Sequence, residues 1–292
     1  MKRWKKVTVF DIVVIVLLIL IATLFIYPMW TVVVAAFSDP LEYAKNPLAL
    51  FPKKISLYNF RRLMSAEVIW MGYGNTLLYV VVGTLINVIM TFTMAYGMSM
   101  EELPYKGFFG FFVTFTLFFS GGMIPTYLIV KSYGILDTIW AVTIPGAIGT
   151  YNLMITRTYL NQQIPKNLAE AAEVDGAGPL RIFGLIVTPL CKPIIAVIAL
   201  FYASNHWNGW YDAMVYLRSQ EKYPLQLFLR GMLINEETYG TMATEAGQTT
   251  ELFKSITFNY SVILIAILPL IIVFPFVQKY FVKGVMIGAI KG

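Results

Sequence analysis

Apolar residues run through this chain in long unbroken blocks, and six of them are long enough to cross a bilayer: about residues 12–37, 76–98, 108–130, 136–160, 182–203 and 256–281. A hydrocarbon core about 30 Å thick calls for about 20 mostly apolar residues per helix. Backbone groups in lipid must bond within their own segment, so each block is expected to be helical. Pro189, Lys192 and Pro193 interrupt the fifth block, whose leading part is expected to bend or lie at the interface. Pro125, Pro145, Gly146 and Pro269 mark further bends. The pattern predicts an all-α polytopic membrane protein, with residues 1–292 forming a single domain.

Polar residues gather between these blocks. Outside the membrane they fill about residues 38–75, 131–137 and 204–255, the last a long hydrophilic connection; inside lie residues 101–107 and a charged island at about 161–189. Within that island the chain reads EAAEVDGAGPLRIFGLIVTP from Glu170 to Pro189. A short helix is expected to start after Pro165, carry Leu168, Ala171 and Ala172 along one face, and end at Gly176, where the missing Cβ permits a sharp reversal. Glu170 and Glu173, one turn apart, can meet arginines of a partner. On physics alone, a solvated loop helix fits these residues equally well.

Composition removes the soluble alternatives. Hydrophobic residues make up 58% of the chain and charged ones only 13%, with a mean hydropathy of +0.69, far from an ordinary water-soluble domain. The cluster Lys2, Arg3, Lys5 and Lys6 before the first block favours an N-terminus inside, and an even number of spans returns the C-terminus to the same side. The first block is too long for a removable signal and lacks a small-residue cleavage site, so it is expected to be a retained helix. The single cysteine, Cys191, excludes an internal disulfide and reads as a packed thiol.

The chemistry of the spans is sparse. A proton- or ion-coupled transporter keeps ionisable groups deep in its spans, whereas Asp11, Arg157 and Lys192 sit near predicted membrane edges. There is no G-x-x-x-x-G-K-[ST] loop for nucleotide phosphates and no H-E-x-x-H metal motif, and the only histidine is His206, which reads first as an interfacial polar residue and second as a ligand contact. No metal site, no cofactor and no nucleic-acid partner is expected. Asn87, Tyr127 and Asn152, set in the spans, suit a polar path and equally suit interhelical hydrogen bonding. Residues 205–212 read NHWNGWYD, where Trp207, Asn208, Trp210, Tyr211 and Asp212 mix rings, amides and an acid. That combination fits a sugar, and the rings alone fit a headgroup belt.

The island resembles the cytoplasmic "EAA" signature of permease subunits in bacterial ATP-binding-cassette importers. Glu170, Ala171 and Ala172 are followed by Gly176, Ile186 and Pro189, with Asp175 and Ala177 completing the D-G-A form of sugar importers. Thr188 departs from the pattern, which usually has leucine there, and reads as a packing substitution. The outer turn GILDT at 134–138, the tryptophan-rich 205–212 and the C-terminal GVMIGAIKG extend the similarity over most of the chain. The overall pattern is close to the shorter, maltose-type carbohydrate permease partner, and within that group to oligosaccharide permeases of the aldouronate, alginate and Lpl type.

The resemblance implies the type I importer permease fold, with six transmembrane helices and a cytoplasmic coupling helix, in a multi-pass protein of the bacterial plasma membrane with both termini cytoplasmic. It implies that Leu168, Glu170, Ala171, Ala172, Glu173, Asp175, Gly176 and Ala177 engage a groove of a cytoplasmic ATPase. A tail with Lys283, Gly284, Gly288 and Lys291 is implied to reach between two ATPase subunits, which carry ATP and Mg. The remaining partners would be a second permease, usually a different chain, an extracytoplasmic solute-binding protein and the lipid bilayer. The cargo is left open between an oligosaccharide and a monosaccharide or glycerol phosphate, and a membrane scaffold that transports nothing is the alternative from another class.

Overall fold

The computed structural model describes residues 8–245 and 249–289. In chain order its helices are α1 (Val9–Ala36), α2 (Pro40–Lys45), α3 (Tyr58–Met64), α4 (Glu67–Ser99), α5 (Lys106–Phe118), α6 (Met123–Ser132), α7 (Ile139–Thr143) and α8 (Thr150–Gln163). There follow α9 (Lys166–Val174), α10 (Pro179–Ile182), a π-helical turn (Phe183–Val187), α11 (Thr188–Leu190), α12 (Lys192–Trp207), α13 (Tyr211–Tyr216), α14 (Leu225–Glu245) and α15 (Thr249–Ala289). Among the described residues the only extended pairing is an isolated antiparallel bridge, Ser38 to Ile55.

Helices α1, α4 and residues 252–272 of α15 are each long and apolar enough to cross a membrane, and two bent pairs raise the total to five. The third block, expected as one span, is α5 and α6 meeting at 115°, because Gly122 takes φ +82° where the helix would continue. The fourth block is α7 and α8, separated where Gly146 adopts φ +75° after Pro145. The fifth bends by 80° between Pro179–Leu190 and Lys192–Trp207, at the prolines that mark it. The sixth runs on as one helix to Ala289, so Lys283, Gly284 and Gly288 lie on α15. Their side-chain environments, and Lys291, lie outside the described residues.

The chain packs as two compact units. One comprises residues 1–67 and 229–269. Here Thr8 and Asp11 close a capping box that starts α1, Thr8 N donating to Asp11 Oδ2 at 2.8 Å and Asp11 N to Thr8 Oγ1 at 3.3 Å. Only Val34, Ala35 and Ala36 of α1 are buried, leaving a shaft apolar all round, as expected for lipid. Ser56 N donates to Phe37 O at 2.8 Å, Asp39 N to Lys54 O at 3.0 Å, and the Arg62 guanidinium lies 4.6 Å from the Phe258 ring centre.

The other unit comprises residues 68–228 and 270–292. Its organising element is α4, whose buried positions Ile69, Gly72, Thr76, Tyr79, Gly83, Asn87, Thr91, Ala95 and Met98 recur every three or four residues as one helical stripe. The stripe changes character along its length. Toward Met98 it joins an apolar core with Leu153, Leu160, Ile182, Val187, Cys191 and Ile198; in the middle it is polar. Thr91 Oγ1 and Tyr202 Oη are 2.6 Å apart, and Tyr202 Oη also accepts from Gly149 N at 2.9 Å. Buried Cys191 is packed in that core, as a small apolar side chain would be.

Candidate functional site

Helix α9 begins directly after Pro165 and ends at Val174, as its punctuation predicts. Its end is a Schellman motif: Asp175 is the C-cap, Gly176 follows at φ +78°, Gly176 N donates to Glu173 O and Ala177 N to Ala172 O, both at 2.9 Å. The D-G-A sequence is therefore the chemistry of a helix stop. Ala177 packs back against the core that holds Ala172, the apolar contact that accompanies such caps.

The face expected to carry Leu168, Ala171 and Ala172 together is divided. Ala172 is buried in the chain's own core, while Ala171 is exposed and Leu168 is 38% exposed. Glu173, Asp175 and Gly176 are exposed as well. Val174 and Leu180 stand out at 88% and 87% exposure. The side chain of Glu170 lies outside the described residues. After α9, both the N–H and the hydroxyl of Thr188 bond to Phe183 O, the hydroxyl at 2.7 Å, so this departure from the family pattern secures the π turn as well as filling space. Pro189 next to it has no N–H to give.

The polar middle of α4 opens on a cavity of about 230 Å³, lined by Tyr79 and Asn87 of α4, Pro145 and Gly146 of the break before α8, and residues from Asn205 to Asp212. Asn87 Nδ2 donates to Ala147 O at 2.8 Å, which turns Oδ1 toward His206 Nε2 at 2.7 Å. In that arrangement Nε2 carries the proton and Nδ1 is the acceptor. The imidazole fits because position 83 is glycine: a Cβ there would lie 2.4 Å from Nε2. Tyr79 Oη donates to Lys222 O at 2.6 Å, and Asn208 Nδ2 to Ser204 O at 2.8 Å. At the rim, Trp210 and Tyr211 pack edge to face at 5.5 Å, and Tyr211 Oη reaches Met123 Sδ at 2.8 Å. Asp212 is open to the cavity, yet the protein around it displaces enough water to push its carboxyl above the usual range.

Five of the residues expected to contact a ligand, Asn87, Asn208, Trp210, Tyr211 and Asp212, thus share one cavity. Three do not line it. Trp207 is buried and lies against Tyr73 with the rings tilted at 48°, Tyr127 lies parallel to Tyr216 at 6.4 Å, and Asn152 sits beside Gly149. Tyr79 and Asn205 are not among the expected contacts, and His206, read first as an interfacial polar residue and second as a ligand contact, lines the cavity. The spacing of Gly83 and Asn87, one turn apart on one face, is the signal that could have placed a ring against α4.

The segment after α13 is fastened at three points. Asp137, at φ +58°, accepts from Arg218 N at 2.9 Å, Ser219 N at 3.0 Å, Ser219 Oγ at 2.7 Å and Lys222 Nζ at 2.8 Å. These donors hold its carboxyl far below the usual carboxylate range, the Lys222 ammonium contributing most. Asn75 Nδ2 donates to Glu221 O and Tyr223 O at 2.7 and 3.0 Å, and Leu225 N donates to Thr76 Oγ1 at 2.9 Å. The expected long connection is therefore a pinned turn followed by the 21-residue α14.

Long lipid-facing helices, a polar cavity built from broken spans, and a capped helix presenting apolar side chains define a polytopic membrane permease. Comparison with known proteins gives the family. The chain belongs to the binding-protein-dependent transport system inner membrane components, whose profile matches residues 104–287. It is 37% identical over 292 residues to Protein LplC of Bacillus subtilis (strain 168), covering 100% of this chain and 98% of that one. The polygalacturonan/rhamnogalacturonan transport system permease protein YtcP of the same organism is 37% identical over 287 residues, 98% and 100% of the two chains. A crystal structure of a bacterial transporter for import of the acidic polysaccharide alginate contains a similar chain, with TM-score 0.82, 33% identity, and coverage of 94% and 96%. The fold is that of a type I importer permease.

Proposed function

We propose that this chain is the permease subunit of an ATP-driven importer that carries an oligosaccharide across the bacterial plasma membrane by alternating access. The carbohydrate-transport names of its relatives support the cargo class, and the amide- and aromatic-lined cavity suits a sugar. The single observation that carries the coupling role is α9: a nine-residue helix, stopped by a Schellman cap and rooted in the core through Ala172, that offers Leu168, Ala171, Glu173 and Val174 to the outside. A rooted helix with an apolar and acidic outer face can enter a groove of a motor and transmit force to the spans behind it.

On this reading α9 faces the cytoplasm together with both termini, two ATPase subunits bind it and its counterpart on a second permease chain, and ATP and Mg are held by those subunits. The binding protein delivers cargo to the opposite side, where the turn held by Asp137 supplies a firm surface. Residues 283–292 reach the ATPase pair. Reconstitution with the second permease, the ATPase and the binding protein tests this: ATP-dependent oligosaccharide uptake is expected, lost when residues 168–174 are scrambled. Uptake that survives scrambling, or its absence for every sugar, contradicts the reading. Removing residues 283–292 is expected to lower transport-coupled ATP hydrolysis while leaving assembly intact.

A further inference from the structure

Charge is distributed in the cavity in a way the cargo class does not explain. Among the described residues that line it there is no lysine or arginine, and there is one acid, Asp212. Lys222, whose carbonyl receives the Tyr79 hydroxyl, has its ammonium committed to Asp137 at 2.8 Å. Two of the polymers named for its relatives, polygalacturonan and alginate, carry carboxylates. A site built for a carboxylate supplies a cation or a fork of donors; this one supplies amides, an imidazole, a phenol and an acid.

Size narrows the occupant. The cavity, at about 230 Å³, is smaller than the about 300–1,000 Å³ of sites for drug-sized ligands. At that size it has room for one sugar ring and not for an oligosaccharide. Trp210 and Tyr211 at the rim supply aromatic surface of the kind that packs on the C–H side of a pyranose, while the polar groups that line the cavity with them suit hydroxyls.

We propose that this cavity is a subsite for a single uncharged sugar ring, binding its hydroxyls through Asn205, His206, Asn208 and Asp212 and turning away a ring that bears a carboxylate. The assignment rests on the carbohydrate reading above and adds a charge preference to it. An ionised Asp212 accepts hydroxyl protons in charge-assisted hydrogen bonds. A uronate entering beside it brings a second carboxylate with no cation between, and two close carboxylates hold together only when one of them takes a proton. Lost hydration already pushes the Asp212 carboxyl upward, so the acidic ring adds to an existing penalty. Discrimination comes from a repulsive element as much as an attractive one. The carboxylates of an acidic oligosaccharide must then lie outside this cavity.

The test uses the assembled transporter in nanodiscs, titrated at pH 7 with α-1,4-galactobiose and α-1,4-digalacturonate, which differ only at C6, with tryptophan fluorescence as readout. Galactobiose is expected to bind at least about tenfold more tightly, a factor that corresponds to about 1.4 kcal/mol. Asp212→Asn is expected to narrow the ratio by strengthening digalacturonate binding. Asn205→Arg, which adds a cation, is expected to reverse it, and decides the question by itself should Asp212→Asn fail to assemble. Equal or tighter binding of digalacturonate to the unmodified protein, ratios unmoved by the substitutions, or no binding of either sugar overturns the subsite. ATP-driven uptake in liposomes is measured in parallel: its absence for every sugar contradicts the carbohydrate reading, whereas uptake with the wrong binding ratio contradicts the subsite alone.

Discussion

His206 Nε2 and Asn87 Oδ1 lie 2.7 Å apart across 119 residues of sequence, and the ring reaches that position only over the bare backbone of Gly83. This one contact joins the middle of α4 to the end of α12. It also ties the cavity wall to the break before α8, because the same amide donates to Ala147 O. A movement of α12 against α4 must therefore change the cavity.

Gly83→Ala tests that dependence. The new methyl would stand 2.4 Å from Nε2, so the imidazole must leave and Asn87 Oδ1 loses the His206 contact. Overpacking of this kind costs about 1–3 kcal/mol. Uptake is expected to fall sharply with assembly retained, and His206→Ala in the same chain is expected to restore thermal stability, since the methyl then has room. Additive loss in the double variant contradicts the contact, as coupled neighbours do not add.

Gly176→Ala addresses the helix stop. At φ +78° a Cβ costs about 1–2 kcal/mol, and the two capping bonds of Asp-Gly-Ala weaken with it. Transport-coupled ATP hydrolysis is expected to drop several-fold while sugar binding at the cavity is unchanged. Gly178→Ala, two residues on with nothing within 4 Å of its would-be Cβ, is expected to be neutral in the same assay.

Asp137 predicts a pH dependence whose sign follows from its donors. Its native pKa is depressed below the ordinary 3.8. The stabilisation is thus fully present above that value and is lost progressively as the pH falls from it toward the native one. Asp137→Ala is expected to lower thermal stability at pH 7 by about 1–2 kcal/mol, the worth of charged hydrogen bonds discounted for a solvent-accessible position. The gap between variant and parent should close on acidification below about pH 3.8. A constant gap contradicts the assignment.

Some of this arrangement is written locally in the chain and some is not. The bounds of α9 follow from Pro165 and Gly176, because a proline start and a glycine stop act on the backbone beside them. The bend at Pro189 to Pro193 follows in the same way. The break at Gly122 does not, since counting apolar residues measures length and leaves dihedral angles unseen. Pro145 and Gly146 mark a bend in the fourth block, but not that the two helices on either side are separate. The cavity needed Asn87, Ala147 and His206 to meet from three distant parts of the chain, which no local pattern encodes. Nor did the apolar spacing of Leu168, Ala171 and Ala172 reveal that Ala172 faces the chain's own core.

The central claim, that α9 is gripped by a cytoplasmic ATPase, is tested most directly by crosslinking from Val174. Val174 is 88% exposed, and the native Cys191 is the only cysteine and is buried, so Val174→Cys introduces a single accessible thiol. In membranes holding the assembled transporter, a maleimide carrying a benzophenone is attached to this thiol; on illumination the benzophenone inserts into C–H bonds within reach and is expected to join this chain to an ATPase subunit, with a yield that changes on adding ATP. A thiol that labels fully yet forms no ATPase adduct, in preparations where the ATPase co-purifies, contradicts the account.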